Sequence, residues 1–433
     1  MTADARELRG DALGPLLPDR ALSITAAAAE APDAIALVTP AARFTYRELA
    51  ARAAAFALGA PLVAAPTVDT IVAILAHLEA HRPMGLIHHR APDRDALIAR
   101  LATAPPENDT LAVAFTSGST GAPRGVLLSR TGVRAALTAS AAHLGAGPDD
   151  AWLVALPLAH VGGLAALLRA LVARRPAVFL DGDFDRAAVA ALLHHCTHAS
   201  LVPTQLAALL DDEAWRPPPS LRAILLGGAA APAPLLAAAR ARGVPVIRTY
   251  GMTETFGQVA TQRLADAGDP DAPLVPLPGI AIAAGTPDAP ALIRVDSPAR
   301  MLGYLGEPPL ADRWLATSDL GAIVDGGLRI AGRADDVIIT GGENVHPAVV
   351  EAALASAPGV RACCAVGLAD ARWGQIVALA VVPGPGFDPQ AILAHGALAP
   401  HQRPRRVITL AALPLGPTGK IDRRAVAALL ASA

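Results

Sequence analysis

The sequence predicts an α/β fold with mainly parallel strands, because short runs of valine, leucine and isoleucine alternate with longer alanine- and leucine-rich amphipathic segments. A predicted strand at residues 111–115, a helix at 133–144 and a strand at 152–156 form the first clear unit. The alternation continues through predicted strands at 177–180, 199–202, 221–226 and 244–249, and predicted helices at 186–195 and 234–242. Its 433 residues exceed one ordinary domain of about 150 residues, so two or three units are expected.

Beyond about residue 270 the pattern changes to shorter strands separated by glycine and proline turns, which predicts a smaller β subdomain. The last hundred or so residues then have their own predicted helix and strands, at 347–357, 362–367 and 377–382. We therefore expect a large N-terminal domain of parallel-sheet α/β subdomains plus this β subdomain, followed by a small α+β C-terminal domain. The predicted domains are residues 1–332 and 333–433.

Composition argues against several classes of partner. The formal net charge is −2 and the basic residues are dispersed, so no electrostatic footprint for nucleic acid or an anionic membrane is present. The most apolar stretch, residues 153–168, is shorter than the ~20 residues of a membrane helix, and the N-terminus lacks a signal-peptide layout. Cys196, Cys363 and Cys364 form neither a metal-ligand pattern nor a disulfide framework, which favours a reducing cytoplasm. Small-molecule partners are expected, and the oligomeric state, a homodimer included, is left open.

The chain contains a single lysine, Lys420, although it has 36 lysine and arginine residues in total. An ammonium is a compact point charge on a thin stem, whereas a guanidinium is a wide planar fork. A site that inserts one charge between two closely held oxygens therefore does not accept arginine. This favours a catalytic or anion-contacting role for Lys420, although a surface lysine left by codon bias is the alternative.

Residues 116–125 combine hydroxyls and glycines, and a cation, Arg124, lies near their end. Glycines let the backbone approach an anion and hydroxyls donate to phosphate oxygens, so this loop, expected between a strand and a helix, predicts a polyphosphate site. Its glycine spacing does not match the Walker A loop. Nor is it a Gly-x-Ser-x-Gly nucleophile elbow, because Ser117 occupies the first position, and a serine hydrolase is disfavoured.

The loop resembles the phosphate signature of the acyl-adenylate-forming (AMP-dependent synthetase and ligase) family, which includes acyl-CoA ligases, luciferases and peptide-synthetase adenylation domains. Further family signatures follow in the expected order, at residues 226–230, 250–254, 317–321, 332–336, 341–347 and 417–420. Together they span residues 111–424, and Lys420 falls on the family's catalytic lysine. The resemblance implies attack of a carboxylate on the α-phosphate of ATP with Mg²⁺, and then transfer of the acyl group to the thiol of coenzyme A.

The resemblance also implies nucleotide-binding roles for particular residues. The β- and γ-phosphates would be held by Thr116, Ser117, Gly118, Ser119, Thr120 and Gly121, with Arg124 where the family usually has lysine. The adenosine would be held by Gly228, Ala229, Tyr250, Gly251, Asp319 and Arg333. In this set Tyr250 would stack on adenine and Asp319 would accept the ribose hydroxyls, whereas Arg333 is expected either on the ribose or in a structural salt bridge.

Catalytic roles follow in the same way. Glu254 would be the Mg²⁺ ligand and Thr253 an α-phosphate contact, because a hard cation prefers carboxylate oxygen. Lys420 would bridge the attacking carboxylate and the α-phosphate. Asp335 resembles the hinge about which the C-terminal domain rotates between the half-reactions. His160 matches a position at the acyl pocket, or it is a core histidine.

After that rotation a glycine loop would line the pantetheine channel of coenzyme A, through Gly341, Gly342 and Glu343. Within the family, the chain most resembles the o-succinylbenzoate-CoA ligases of menaquinone biosynthesis, on residues 156–164, 196–206 and 225–232. Such a substrate has a second carboxylate, so its pocket should contain a free donor or cation, for which Arg248 and Thr204 are candidates. Ligases for other aryl or medium-chain acids, a peptide-synthetase adenylation domain and a nucleotide-binding homologue without turnover remain alternatives.

Overall fold

The structure is a computed structural model, and it describes residues 6–59, 61–103, 109–116, 123–145, 147, 149–393, 397–417 and 419–432. Within these residues the strands form four sheets, with helices packed on the sheets of the N-terminal two thirds. The α/β class predicted from the alternating pattern is confirmed. No helix in the described part of the chain has the length and apolarity needed to cross a membrane.

The largest sheet has nine strands. Its order across the sheet is Val275–Pro276, Gly257–Thr261, Val246–Met252, Ala223–Leu226, His198–Leu201, Trp152–Val154, Ala177–Phe179, Ile35–Val38 and Arg43–Thr45. The six strands from Val246–Met252 to Ile35–Val38 pair in parallel, and the outer pairs are antiparallel. Ala223–Leu226 and His198–Leu201 are buried along their whole length, as expected for parallel strands covered by helices on both faces.

A second sheet has five strands, in the order Gly303–Tyr304, Arg124–Ser129, Thr110–Thr116, Met84–His88 and Leu62–Ala64. Here one prediction is wrong: the glycine- and hydroxyl-rich loop joins two antiparallel strands rather than a strand and a helix. Thr116 lies opposite Arg124 in this pair, and the helix that follows begins only at Arg130. The branched side chains of residues 126–128 lie against the sheet core, which favours a strand there over an early helix start.

Nine helices of the described N-terminal residues connect or cover these sheets: Ile24–Glu30, Tyr46–Ala55, Val68–Glu79, Arg94–Thr103, Arg130–Leu144, Val161–Val172, Arg186–Leu193, Pro203–Leu210 and Ala233–Ala241. Local signals determine their ends. Ser129 caps the helix that begins at Arg130 by accepting a 2.9 Å hydrogen bond from the Gly132 amide. The same helix ends at Gly145, whose φ of +62° suits a residue without a Cβ atom.

The predicted β subdomain is an antiparallel sheet of five strands: Arg6–Arg9, Ala281–Ala284, Ala291–Asp296, Leu315–Val324 and Gly327–Arg333. Its core contains Val259, Ile282, Ile293 and Val295, all of which are fully buried. The long strand Leu315–Val324 pairs with Gly327–Arg333, and this hairpin places Asp319 opposite Arg333. Two polar residues separated by fourteen positions are thereby brought to one edge of the subdomain.

The C-terminal residues form a separate α+β unit. Its strands are Glu343–Val345, Ile338–Thr340, Gly374–Pro383, Val360–Asp370 and Arg406–Thr409, and its helices are Pro347–Leu354, Pro389–Leu393 and Arg423–Ser432. Two apolar clusters lie wholly within residues 338–430. Within this unit the Arg423 guanidinium connects two helices, because it donates hydrogen bonds of 2.6 and 2.9 Å to the Glu351 carboxylate. The boundary at residue 333 stays a prediction.

Candidate active site

The loop that contains Lys420 lies against the carboxyl end of the strand Ala223–Leu226, in the large sheet. Gly228 follows this strand with a φ of +79°, and a Cβ atom built on it would lie 3.1 Å from Lys420 Cε and 3.6 Å from Nζ. The lysine stem therefore rests directly on the glycine backbone, and a larger residue at 228 would displace it. The next residue, Ala229, is exposed beside this contact.

The charges of three side chains act on Lys420. Desolvation by the surrounding protein lowers the pKa of its ammonium most, and the Arg333 guanidinium lowers it further, whereas Asp319 and Glu254 raise it. The residue keeps solvent-accessible surface, so it lies among protein atoms without being sealed off. An ammonium whose charge is only partly balanced by protein carboxylates is suited to an anionic ligand.

Asp319 connects two other predicted nucleotide contacts. Its Oδ2 accepts a 2.8 Å hydrogen bond from the Tyr250 hydroxyl, and its Oδ1 lies 3.2 Å from Arg333 Nη1. Burial and the Asp319 charge raise the pKa of Tyr250, so this hydroxyl stays a donor. Arg333 also reaches Asp335, the predicted hinge residue, at 3.2 Å from Nη2 to Oδ2. Arg333 thus forms the structural salt bridge that was one of its two predicted roles. Rotation of the C-terminal unit about Asp335 stays a prediction.

Thr253 and Glu254 lie on a short 3₁₀ turn after the strand Val246–Met252. Glu254 Oε1 accepts a 3.0 Å hydrogen bond from the Tyr304 hydroxyl, and burial beside this carboxylate raises the pKa of Tyr304 to about 12. Arg124 lies over the Tyr304 ring and pairs with Glu307 at 2.9 Å. The guanidinium thus already has a carboxylate partner, and it reaches Glu254 only through the tyrosine.

Gly251 has a steric explanation independent of nucleotide. A Cβ atom on it would lie 1.6 Å from the Gly257 carbonyl oxygen of the neighbouring strand, so no side chain fits without moving the strand pair. This close approach shapes the turn that presents Thr253 and Glu254. A contact of Gly251 with adenosine stays a prediction.

The predicted phosphate loop is described only at its two ends. Thr116 Oγ1 donates to the Arg124 carbonyl at 3.4 Å, so the ends are held together by strand pairing and this bond. Ser117, Gly118, Ser119, Thr120 and Gly121 lie outside the described residues. Their phosphate contacts therefore stay predictions.

His160 precedes the apolar helix Val161–Val172 and belongs to a group of three imidazoles. Its ring centroid lies 5.6 Å from that of His88, which stacks on His89 at 4.6 Å. Burial, with help from His88 and Lys420, lowers the pKa of His160 to about 3, and burial lowers that of His88 to about 4. His160 Nε2 is buried without a hydrogen-bond partner in the described part of the chain. The His160 imidazole is therefore neutral, and its Nε2 atom is available for a further hydrogen bond.

The glycine loop predicted to line a thiol channel is the tight turn between the strands Ile338–Thr340 and Glu343–Val345. Gly341 and Gly342 have φ angles of +59° and +86°, and Glu343 is exposed. The Gly341 amide donates to the Trp373 carbonyl at 2.9 Å, within the C-terminal unit. In this arrangement Lys420, rather than the glycine turn, contacts Gly228.

Arg169 is a residue that the sequence reasoning missed. It lies in the last turn of the apolar helix Val161–Val172, where its Nε donates to Ser140 at 3.0 Å and its Nη2 to Gln258 at 2.7 Å. Its guanidinium also lies 4.7 Å from the centroid of the Trp152 ring, and burial lowers its pKa to about 10. Among the described residues no carboxylate forms an ion pair with it. The feature of the sequence that could have identified Arg169 is its position as the one charged residue in an otherwise apolar helix.

The two residues proposed from sequence as substrate donors have other partners. Arg248 Nη2 donates to the Ala272 carbonyl at 2.7 Å, and the charges of Asp269 and Asp271 act on this guanidinium. Thr204 donates to the Gly419 carbonyl at 2.7 Å. Arg248 forms no ion pair among the described residues, and its buried Nε has no hydrogen-bond partner there, so it keeps one free donor. Thr204 contacts the lysine loop itself.

A magnesium ion would have to rely on Glu254. Within the described residues no group of three or more histidine, cysteine or acidic side chains could hold a metal by itself. Glu254 uses one carboxylate oxygen toward Tyr304, and Oε2 makes no hydrogen bond to a described residue. One carboxylate with a free oxygen fits Mg²⁺, which prefers to complete its shell with phosphate oxygens and water.

Two family models match the chain: the AMP-binding enzyme model over residues 60–305 and the AMP-binding enzyme C-terminal domain model over residues 349–420. A probable 2-succinylbenzoate–CoA ligase of Mycobacterium tuberculosis is 38% identical over 342 residues, covering 74% of this chain and 84% of the relative. A 2-succinylbenzoate–CoA ligase of Bacillus cytotoxicus is 35% identical over 74% of this chain and 70% of its own length.

Solved structures agree with these relatives. The o-succinylbenzoate CoA synthetase (MenE) of Bacillus subtilis, in complex with the acyl-adenylate intermediate OSB-AMP, has a TM-score of 0.80 at 27% identity, over 93% of this chain and 97% of that chain. The same enzyme in complex with ATP and magnesium ion has a TM-score of 0.79 at 27% identity, over 94% and 98%. The resemblance predicted from the ordered motifs is thus confirmed, and the chain belongs to the AMP-binding enzyme family.

Proposed function

We propose that this protein is an ATP-dependent acid–CoA ligase that converts o-succinylbenzoate to o-succinylbenzoyl-CoA. The relatives above are named for this reaction, and one solved structure similar to the chain contains the acyl-adenylate. Menaquinone biosynthesis is the corresponding pathway. Family membership supports the class of reaction, and the contacts of Lys420, Asp319 and Glu254 support the assignment of residues.

The observation that carries the proposal is the position of Lys420. The only lysine of the chain lies on the Gly228 backbone, where the charges of Arg333, Asp319 and Glu254 all act on it. A protonated amine there would neutralise charge that develops as a carboxylate oxygen bonds to the α-phosphorus and pyrophosphate leaves. The reaction needs no protein nucleophile, because positioning and charge neutralisation supply the rate.

The other polar residues would hold ATP at one side of Lys420, which we call the nucleotide end and define as Tyr250, Asp319 and Arg333. The Asp319 carboxylate would accept from the ribose hydroxyls while Tyr250 and Arg333 hold its orientation. Glu254 would hold Mg²⁺, which supplies charge neutralisation at the phosphates. In the second half-reaction the thiol sulfur of coenzyme A would attack the acyl carbon, its proton would pass to solvent, and AMP would leave.

A second set of residues, which we call the acyl end, is defined as His88, His160 and Arg169. His160 precedes the helix Val161–Val172 and Arg169 lies in its last turn, about 13 Å further along the helix axis at 1.5 Å per residue. A buried guanidinium without a carboxylate partner among the described residues favours an anionic ligand. The second carboxylate of o-succinylbenzoate would supply that anion while its other carboxylate reaches Lys420. Neutral His160 would line the space between them without adding charge.

The test is mass-spectrometric detection of thioester after incubation of the protein with ATP, Mg²⁺, coenzyme A and o-succinylbenzoate. Benzoate and octanoate serve as parallel substrates. Selective formation of o-succinylbenzoyl-CoA is the expected result. Thioester from the monocarboxylic acids alone would retain the ligase mechanism and overturn the substrate, and no thioester from any acid would favour a nucleotide-binding homologue.

A further inference from the structure

The Lys420 loop contacts the rest of the protein through a small set of residues. A Cβ atom on Gly419 would lie 3.4 Å from Val202 Cγ2 and 3.6 Å from Thr204 Oγ1, so the loop backbone approaches both side chains closely. Gly419 has a φ of +75°, which suits a residue without a Cβ atom. Beside it, Lys420 rests on Gly228. The sequence separation of 215 residues between Thr204 and Gly419 makes this a long-range contact.

The polar component of this contact is one hydrogen bond. Thr204 Oγ1 donates to the Gly419 carbonyl oxygen at 2.7 Å, in a partly buried position. Thr204 is the second residue of the helix Pro203–Leu210, and its hydroxyl points to the lysine loop rather than capping its own helix. The Val202 amide at this helix start is satisfied separately, by Gln205 Oε1 at 3.2 Å.

The loop around Lys420 is tight, so restraint at Gly419 passes directly to the lysine. The Gly416 amide donates to the Lys420 carbonyl at 2.8 Å, and the Gly419 amide donates to the Gly416 carbonyl at 2.9 Å. These two bonds close the turn among its described residues, and the Gly419 carbonyl accepts from the helix residue Thr204. A bond to that carbonyl restrains the position of the adjacent Lys420 Cα atom.

We propose that Thr204 is a positioning residue for acid activation: its hydroxyl docks the Lys420 turn on Gly228 and thereby places the ammonium. This inference rests on the proposed function, in which Lys420 serves the activation step and not the transfer of the acyl group to the thiol. A bond present in only one arrangement of the C-terminal unit favours that arrangement by its own free energy. Loss of the hydroxyl should therefore slow one half-reaction selectively.

The experiment compares Thr204→Val, which keeps the shape and removes the hydroxyl, with Thr204→Ser, which keeps the hydroxyl. Pyrophosphate release measures activation, and thioester formation from supplied acyl-adenylate measures the second step. Thr204→Val should slow activation roughly three- to tenfold, the scale of one hydrogen bond, and leave the second step unchanged. Thr204→Ser should remain within about twofold of the wild type in both steps.

The matched control is Thr25→Val, because Thr25 is also the second residue of its helix, Ile24–Glu30, and is exposed. It should change neither half-reaction. An equal loss of both steps in Thr204→Val, or no loss in either, would overturn the positioning role. So would failure of Thr204→Ser to restore activation.

A second measurement does not need turnover. Lys420 is the only lysine, so the pH dependence of amine labelling at this residue, followed by mass spectrometry, reports its pKa. Thr204→Val should move that pKa upward, toward the ordinary value of 10.5, because the undocked ammonium is better solvated. An unchanged titration would overturn the docking. If the wild type activates no acid, the proposed function fails, whereas an upward shift would still support the contact.

Discussion

At the nucleotide end the Asp319 carboxylate has two donors, Tyr250 and Arg333, whereas at the acyl end the Arg169 guanidinium donates, among the described residues, to the neutral side chains of Ser140 and Gln258. The first end is a compensated set of charges close to solvent. The second comprises two imidazoles at the start of the helix Val161–Val172, whose pKa values burial lowers to about 3 and 4, and Arg169 in the last turn of that helix. The nucleotide end is thus organised before a ligand binds, while the acyl end favours a ligand that brings a negative charge.

The largest expected effect comes from the residue between the two ends. Lys420→Ala should slow acid activation by about a thousandfold or more, because the charge aimed at the α-phosphate is lost, while transfer from supplied acyl-adenylate continues. Pyrophosphate release and thioester formation, measured separately, check this division. Lys420→Arg should be nearly as damaging, since the wider guanidinium does not fit on Gly228. Equal loss of both steps, or normal activity with arginine, would contradict it.

The next effect concerns the nucleotide end. Asp319→Ala should weaken ATP binding roughly tenfold to a hundredfold, because charged hydrogen bonds to ribose are lost and Tyr250 and Arg333 lose their common acceptor. The KM for the acid should change little. Calorimetric titration of ATP checks the affinity, with Asp312→Ala, an exposed carboxylate of the same subdomain, as the control. A larger change for the acid than for ATP would argue that the two ends are not separate.

A smaller effect tests the acyl end. Arg169→Gln should lower kcat/KM for o-succinylbenzoate about tenfold, since a charged contact to its second carboxylate is replaced by a neutral one. Activity toward benzoate should change no more than the exposed control Arg186→Gln changes it. The ratio of the two substrates is the measurement, because it cancels any general loss of folded enzyme. Equal losses on both acids would remove Arg169 from substrate recognition.

A separate effect concerns the stability of the fold rather than the rate. The pKa of His88 is lowered to about 4 in the folded chain, so below pH 6.5 the unfolded chain takes up a proton that the folded chain does not. The free energy of unfolding should therefore fall as the pH drops from 6.5 toward 4. At pH 4.5 the His88→Gln variant should lose roughly 2 kcal/mol less of this free energy than the wild type. Denaturant unfolding at pH 7 and pH 4.5 measures it. An identical acid loss in the variant would show that His88 titrates normally.

The comparison also explains which parts of the molecule were predictable. The alternation of apolar runs and amphipathic segments predicted the parallel sheet, because secondary-structure periodicity is local. The strand pair around the glycine- and hydroxyl-rich loop was missed, since residues 124–129 become a strand through pairing with residues 110–116. Polar contacts of the nucleotide end lie in recognisable motifs, whereas Arg169 lies in no motif and was identified from its burial and partners.

The sequence by itself identified the family and its class of reaction, through an ordered series of motifs that contain Lys420, the Thr253–Glu254 pair and Asp319. Each motif is recognised by the chemical type of residue at a given position, and residue type is visible in the sequence without knowledge of the fold. Only the tertiary structure decided that Arg169 lacks a carboxylate partner in the described chain and that Thr204 bonds to Gly419. Both facts depend on burial and on contacts between distant residues, and a linear pattern contains neither.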